Sequence, residues 1–417
     1  MTGHPLLLTQ AQLLGYPGLK RVWISSDGVV QAIEPSGDRI PPEDLEPEDL
    51  TVVDLSQDWL SLGGVDLQIN GALGLAFPDL NPDNAHRLPE ICEFLWQQGV
   101  DGFLPTLVTC SLAQVHSALQ VLTNYCKRPS PPHAAKILGV HLEGPCLNPE
   151  KRGAHPQEYL QPLSVEAMSA VLGDSGEGGC ASDIVKLITL APELDPSGAV
   201  IAFLVERGIT VSLGHSQATA AEANRAFDQG ATLVTHAFNA MPSLHHRQPG
   251  LLGAALVRPG VRCGLIADGE HIAPLMLQLL LKMGLGHLFL VSDALAPLGL
   301  PDGTYPWDSR EICVTQGTAR LADGTLSGTT LPLLAGVSNL VRWGLSTVEE
   351  AIALATIAPR QALGDEWTAG DQTPYLGRSI QHLLRWRLDS QTQVLSWSRL
   401  VERGDRTPPH SHSPHSY

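Results

Sequence analysis

The sequence predicts an α/β fold: a (β/α)₈ TIM-type barrel with a small β-domain built from the N- and C-terminal segments. Three observations predict it. Eight short apolar runs recur between Leu62 and Asp293, helical segments separate most of them, and the chain on either side returns to short β-like runs.

The elements follow in order. The first 60 residues carry the runs LLLTQAQLL, VWISS, VVQAIEP and LTVVDL, broken by Gly, Pro and Asp, and an acidic Pro-rich stretch (PPEDLEPEDL) reads as a surface loop. The eight barrel runs are LGGVDL (62–67), FLPTL (103–107), ILGVHL (137–142), VKLITL (185–190), ITVSLG (209–214), ATLVTH (231–236), RCGLIA (262–267) and LFLVSD (288–293). LPEICEFLWQQG, TAAEANRAFDQG and IAPLMLQLLLKMG read as helices between them, each closed by Gly. LPLLAGVSNLVRWG and TVEEAIALATIAPRQALG are further helices that cover the last strand. After Gly364, HLLRWRL and QVLSWSRL are expected to pair with the N-terminal strands. The domain expectation is therefore 1–60 plus 365–403 for the β-domain and 61–364 for the barrel. The His- and Pro-rich end, 404–417, reads as a disordered tail rather than a metal site.

Bulk properties exclude several function classes. A net charge of −17 argues against a nucleic-acid or anionic-membrane partner, and an anionic substrate would need a locally basic pocket. No apolar stretch reaches the length of a membrane span, and the N-terminus lacks the pattern of a signal peptide. Seven scattered cysteines with no CxxC read as reduced thiols, which suggests the cytoplasm.

In a (β/α)₈ barrel, catalytic groups lie at the C-terminal ends of the strands. Glu143, His215, His236 and Asp293 all fall at such ends. One Glu and two His match the three protein ligands of a catalytic zinc-type site with a position left for water. The remaining carboxylate, Asp293, is placed to be general base and then general acid.

Six ordered segments surround these residues: HLEGPCLNPEKRGAHP (141–156), GHSQATAAEA (214–223), THAFNAMPSLHHRQPGLLGAAL (235–256), ADGEH (267–271), VSDALAP (291–297) and GTLSGTTL (324–331). Together they resemble the motif series of the N-acetylglucosamine-6-phosphate deacetylases of the amidohydrolase superfamily, from about Gly63 to Gly364. The resemblance implies hydrolysis of N-acetyl-D-glucosamine 6-phosphate to D-glucosamine 6-phosphate and acetate, in amino-sugar catabolism or recycling. It implies metal ligation by Glu143, His215 and His236, polarisation of the acetyl carbonyl by His155, and acid/base catalysis by Asp293. Asn239 and Ala240 would hold the phosphate, Arg247 would clamp it, His271 would contact sugar or phosphate, and GTLSG would form a loop closing over the sugar. Arg suits bidentate phosphate binding, and HHR is the most basic patch near the motif. A homodimer, with phosphate-binding groups crossing the interface, is also implied.

Two departures qualify the resemblance. Many amidohydrolases carry two metal-binding His as H-x-H on the first barrel strand, where this chain has Gln68 and Asn70, which are poor ligands for zinc-class ions. One divalent ion per chain, zinc by expectation, follows. The C-terminal strand of the family is replaced by LGRSIQHLLRWRL. Competing readings are another amidohydrolase, dihydroorotase-like or acting on N-acyl amino acids, and a catalytically dead barrel that senses sugar phosphates.

Overall fold

Each of the eight apolar runs forms a strand of one sheet. We label these β1 (Gly64–Ile69), β2 (Val100–Val108), β3 (Val140–Glu143), β4 (Val185–Leu190), β5 (Thr210–Leu213), β6 (Leu233–Val234), β7 (Arg262–Leu265) and β8 (Leu288–Leu290). The computed structural model describes residues 4–37, 50–173, 181–364 and 374–400. The acidic stretch up to residue 49 and the tail 404–417 lie outside them. By contacts the chain divides into two units, Met1–Gly64 with Glu366–Tyr417, and Val65–Asp365.

In the second unit, β2 to β8 pair in parallel in sequence order, and β1 pairs with β2. The seam between β8 and β1 closes through a parallel bridge from Ile69 to Ala294, with Asp293 N donating to Gln68 O (2.8 Å) and Asn70 N donating to Ala294 O (2.7 Å). Parallel strands covered on both faces are apolar throughout, which is why they stand out as runs. The third run is broken at Gly139, whose φ is +154° and whose added Cβ would lie 2.2 Å from Lys186 Cγ.

Helices α1 (Leu88–Gln97), α2 (Leu112–Cys126), α3 (Val165–Leu172), α4 (Ala199–Val205), α5 (Ala220–Asp228), α6 (Gly250–Leu256) and α7 (Pro274–Gly284) lie between the strands. α8 (Leu333–Arg342) and α9 (Val348–Ala362) follow. Capping boxes at Ser111/Gln114, Thr219/Glu222 and Thr347/Glu350 start α2, α5 and α9 by satisfying the free amides of their first turns. Gly99 and Gly230 stop α1 and α5 with positive φ, whereas Gly284 is still helical and leads into a 3₁₀ turn at Leu285–His287. Ala358 and Ala362 of α9 pack with Phe289 of β8 and the neighbouring Val291. Among the described residues no helix is long and apolar enough to cross a membrane.

An element absent from the sequence reading stands between β8 and α8. Gly303–Trp307, Arg310–Thr315, Thr318–Leu321 and Leu326–Thr329 form an antiparallel four-stranded meander over a core of Leu295, Ile312, Val314 and Ala319. The GTLSG segment, expected as a loop, is instead a turn running into its last strand.

The first unit is a seven-stranded sheet in the order Leu395–Arg399, Leu383–Leu388, Trp59–Leu62, Leu6–Leu13, Leu19–Ile24, Val30–Pro35, with Thr51–Asp54 also on Leu6–Leu13. Leu383–Leu388 runs antiparallel to Trp59–Leu62, and the buried Trp386 donates its indole N–H to Ser61 Oγ at 2.8 Å.

Candidate metal centre and substrate pocket

The four strand-end residues converge in the barrel mouth. Glu143 is the last residue of β3, and His215, His236 and Asp293 follow β5, β6 and β8; all four are buried. The last three have φ of +49°, +26° and +49°, a region that side chains enter only under constraint.

Glu143 Oε1 lies 3.1 Å from Nε2 of both His215 and His236, and the two Nε2 atoms are 3.0 Å apart. His215 Nδ1 donates to Lys151 O (2.8 Å), so its Nε2 presents a lone pair to the triangle. A carboxylate oxygen and two imidazole nitrogens facing one point leave a place for a cation or a proton between them. Tetrahedral coordination with bonds near 2.1 Å gives ligand edges of about 3.4 Å, so the triangle is close to the size an ion of the zinc class takes. The field agrees. Glu143 is held well below the ordinary carboxylate range: burial opposes this, and the imidazoles of His215 and His236, when protonated toward it, overcome it. His236 is displaced upward, its burial outweighed by Glu143. Among the described residues, these three form the one group with metal-ligand geometry.

Gln68 and Asn70, read as poor ligands, turn out to be donors. Gln68 Nε2 reaches both Glu143 Oε1 and Asp293 Oδ1 at 3.1 Å, and Asn70 Nδ2 reaches Asp293 Oδ1 at 2.8 Å. Both contacts to Asp293 fall on Oδ1, leaving Oδ2 for chemistry. Burial, and then the Glu143 charge, push the Asp293 carboxyl up to about 6. Asp66 braces the seam below, accepting from Ser292 N and Gln68 N, and burial pushes it to about 7.

A hydrogen-bonded polar layer also crosses the barrel. Thr106 Oγ1 meets His141 Nδ1, His141 Nε2 meets Thr189 Oγ1, and Thr189 and Ser212 both meet Thr235 Oγ1.

A cavity of about 470 Å³ opens onto the centre. His155 lines it. Its Nδ1 accepts from Thr109 N, which makes the neutral tautomer carry its proton on Nε2; burial holds this imidazole down to about 3. His271 also lines it, with Nδ1 against Asp268 Oδ2 at 2.6 Å. Asn239 and Ala240 are on the wall, but Asn239 Nδ2 is occupied by the carbonyls of His236 and Ala237. Arg247 is not on this wall. It sits exposed on the following loop, with Nη1 against His246 Nε2. The inserted meander supplies a wall that sequence reasoning missed, including Trp307, Ile312 and Ser327. Arg310 ties it to Ala154 O beside His155, and Arg320 ties it to Glu270 beside His271. The alternation in REICVT and the Gln-Gly turn after it were the available signals.

No family model matches the chain. Among curated proteins, the N-acetylgalactosamine-6-phosphate deacetylase of Escherichia coli O157:H7 is 33% identical over 84% of this chain and 86% of its own length. The N-acetylglucosamine-6-phosphate deacetylase of Bos taurus is 38% identical over 79% of this chain and 82% of its own. The solved N-acetylglucosamine-6-phosphate deacetylase of Pasteurella multocida superposes with a TM-score of 0.77 at 27% identity, covering 95% of this chain and 100% of that one. The Mycobacterium smegmatis deacetylase, solved as a mutant in complex with N-acetyl-D-glucosamine-6-phosphate, gives 0.76 at 26% identity over 95% and 98%.

Proposed function

The chain belongs to the N-acetylglucosamine-6-phosphate deacetylase family of the amidohydrolase superfamily, and we propose that it hydrolyses N-acetyl-D-glucosamine 6-phosphate to D-glucosamine 6-phosphate and acetate. The observation that carries this reading is the Glu143–His215–His236 triangle beside a carboxyl, Asp293, held by two amides in one pocket. The triangle would hold one divalent ion, zinc by expectation from its N₂O donor set. Such an ion supplies Lewis acidity and an acidified water.

The chain's own groups do the rest. Asp293 takes the water's proton at Oδ2 and returns it to the departing amine nitrogen. His155 aims its Nε2 proton at the acetyl oxygen. His271, fixed by Asp268, presents its other nitrogen to the sugar or phosphate. On the following loop, Asn239 N and Nδ2 donate to His236 O and so hold the turn that brings the Ala240 backbone N–H to the phosphate. No Lys or Arg lines the cavity among the described residues. Arg247 is our candidate for the phosphate's cation, and a homodimer sharing phosphate contacts between copies is part of the proposal. Six unpaired thiols among the described residues support the cytoplasm as its compartment.

The test is acetate release by protein loaded with one equivalent of zinc. N-acetylglucosamine 6-phosphate, its galacto epimer and unphosphorylated N-acetylglucosamine are compared. Metal-dependent release with a strong preference for phosphorylated sugars is expected. A loaded protein inert on both phosphorylated sugars would overturn the proposal.

A further inference from the structure

Asn70 is only 5% exposed, yet it lines the cavity. Its backbone is pinned on both sides: N donates to Ala294 O at 2.7 Å, and O accepts from Phe77 N at 2.9 Å. The neighbouring carboxylate decides which way the amide faces, because only the Nδ2 end can donate to Asp293 Oδ1. The carbonyl end therefore turns away from Asp293, and this buried Oδ1 has no hydrogen-bond partner. A buried acceptor without a donor is costly, and at a cavity wall it marks a place for a ligand's donor.

The proposed reaction narrows the choice of donor. The scissile acetamide offers a single one, its N–H, and this nitrogen must lie next to Asp293 to receive a proton. Asn70 is hydrogen-bonded to that same carboxyl. We infer that Asn70 Oδ1 accepts the N–H of the scissile amide, making Asn70 a catalytic residue that selects amides over esters. The inference rests on the deacetylase reading of this pocket. An ester analogue would set an oxygen lone pair against Oδ1 and leave the acceptor unsatisfied. Sites built to receive a hydrogen bond reject analogues lacking the donor.

The experiment compares N-acetylglucosamine 6-phosphate with 2-O-acetylglucose 6-phosphate, by initial rates of acetate release, in wild type, Asn70→Ala and Asn70→Asp, with metal content measured on each. Both substrates need the water and Asp293, but only the amide has the N–H. In Asn70→Ala the amide should lose roughly 10–100-fold more kcat/KM than the ester, at unchanged metal content. Equal losses would mean that Asn70 only positions Asp293, and would overturn the inference. Asn70→Asp keeps an acceptor at Oδ1 but removes the donor to Asp293. It should slow both substrates together and hold their ratio within about threefold. A collapsed ratio there would also overturn the inference, even if the alanine variant fails to fold. Wild type inert on the amide would sink the deacetylase reading itself, a distinct result.

Discussion

The strand-end residues proposed to carry the chemistry also carry backbone strain. His215, His236 and Asp293 leave their strands in the left-handed region, which costs of order 1 kcal/mol or more each, and convergence of their side chains on one point is the gain. The identities of these residues were legible because barrel strand ends are where ionisable groups do work. The use of Gln68 and Asn70 was not, because it depends on partners 75 to 225 positions away in sequence. A local reading sees two weak ligands, whereas the closed barrel makes them the donors that orient Glu143 and Asp293. If Asp293 acts on the proton in the transition state, as proposed, Asp293→Asn in metal-loaded protein should lower kcat by roughly 10²–10⁴-fold with KM little changed. Steady-state kinetics that showed near-wild-type turnover would remove it from the role. Arg247 tests a different claim. If it reads the phosphate, Arg247→Ala should cost about 2–4 kcal/mol in kcat/KM on the phosphorylated sugar and little on N-acetylglucosamine. Equal losses on both would assign it a structural part instead.

Elements were legible in proportion to how apolar and how long they are. The eight buried strands and the helices α1, α5, α7, α8 and α9 announce themselves by runs and caps. The meander at 303–329 does not, since no more than half the residues of any of its short strands are buried and they lie among Gly, Pro and Asp. Its place matters to the site. Gly328, at φ +152°, lets the last strand approach the backbone of Asp293, where an added Cβ would lie 2.9 Å from the Asp293 carbonyl. A second feature joins loops rather than strands. Glu193, after β4, accepts from Asn148 Nδ2 (2.9 Å) and Gln217 N (2.5 Å) on Oε1, and from Ser216 Oγ (2.7 Å) on Oε2. Asn148 N in turn donates to His215 O at 2.9 Å. This clasp holds the His215 carbonyl and the two residues after it without touching the triangle. Glu193→Ala should therefore weaken metal binding by roughly 10–100-fold, while saturating metal restores most of kcat. A competition titration against a chelator measures the first effect, and wild-type metal affinity in the variant would show that the clasp does not set His215.

At the scale of the whole chain, closure is the property from which the others follow. An open sheet would leave β1 and β8 apart, and Asp293 would lose both amide donors that cross the seam. With the barrel shut, the candidate ligands from β3 and from the ends of β5 and β6 meet, and the first strand, where many amidohydrolases bind a second ion, contributes neutral amides already committed to carboxylates. A second ion there would have to displace the Gln68 and Asn70 hydrogen bonds and would find no imidazole or free carboxylate in exchange. The donor inventory therefore predicts one ion per chain. Elemental analysis of active, thoroughly dialysed protein should give one divalent ion per chain. Chelation should abolish activity, and one equivalent should restore it. If the ion binds only the folded barrel, as proposed, metal at about 1,000 times its Kd should stabilise the fold by about 4 kcal/mol. In His236→Asn, Glu143 and His215 alone rarely suffice to hold a catalytic zinc, so activity and metal content should fall together and the metal-dependent rise in Tm should disappear. Two tightly held ions per active chain would overturn this account, because the second would need a bridging ligand that neither Gln68 nor Asn70 can be.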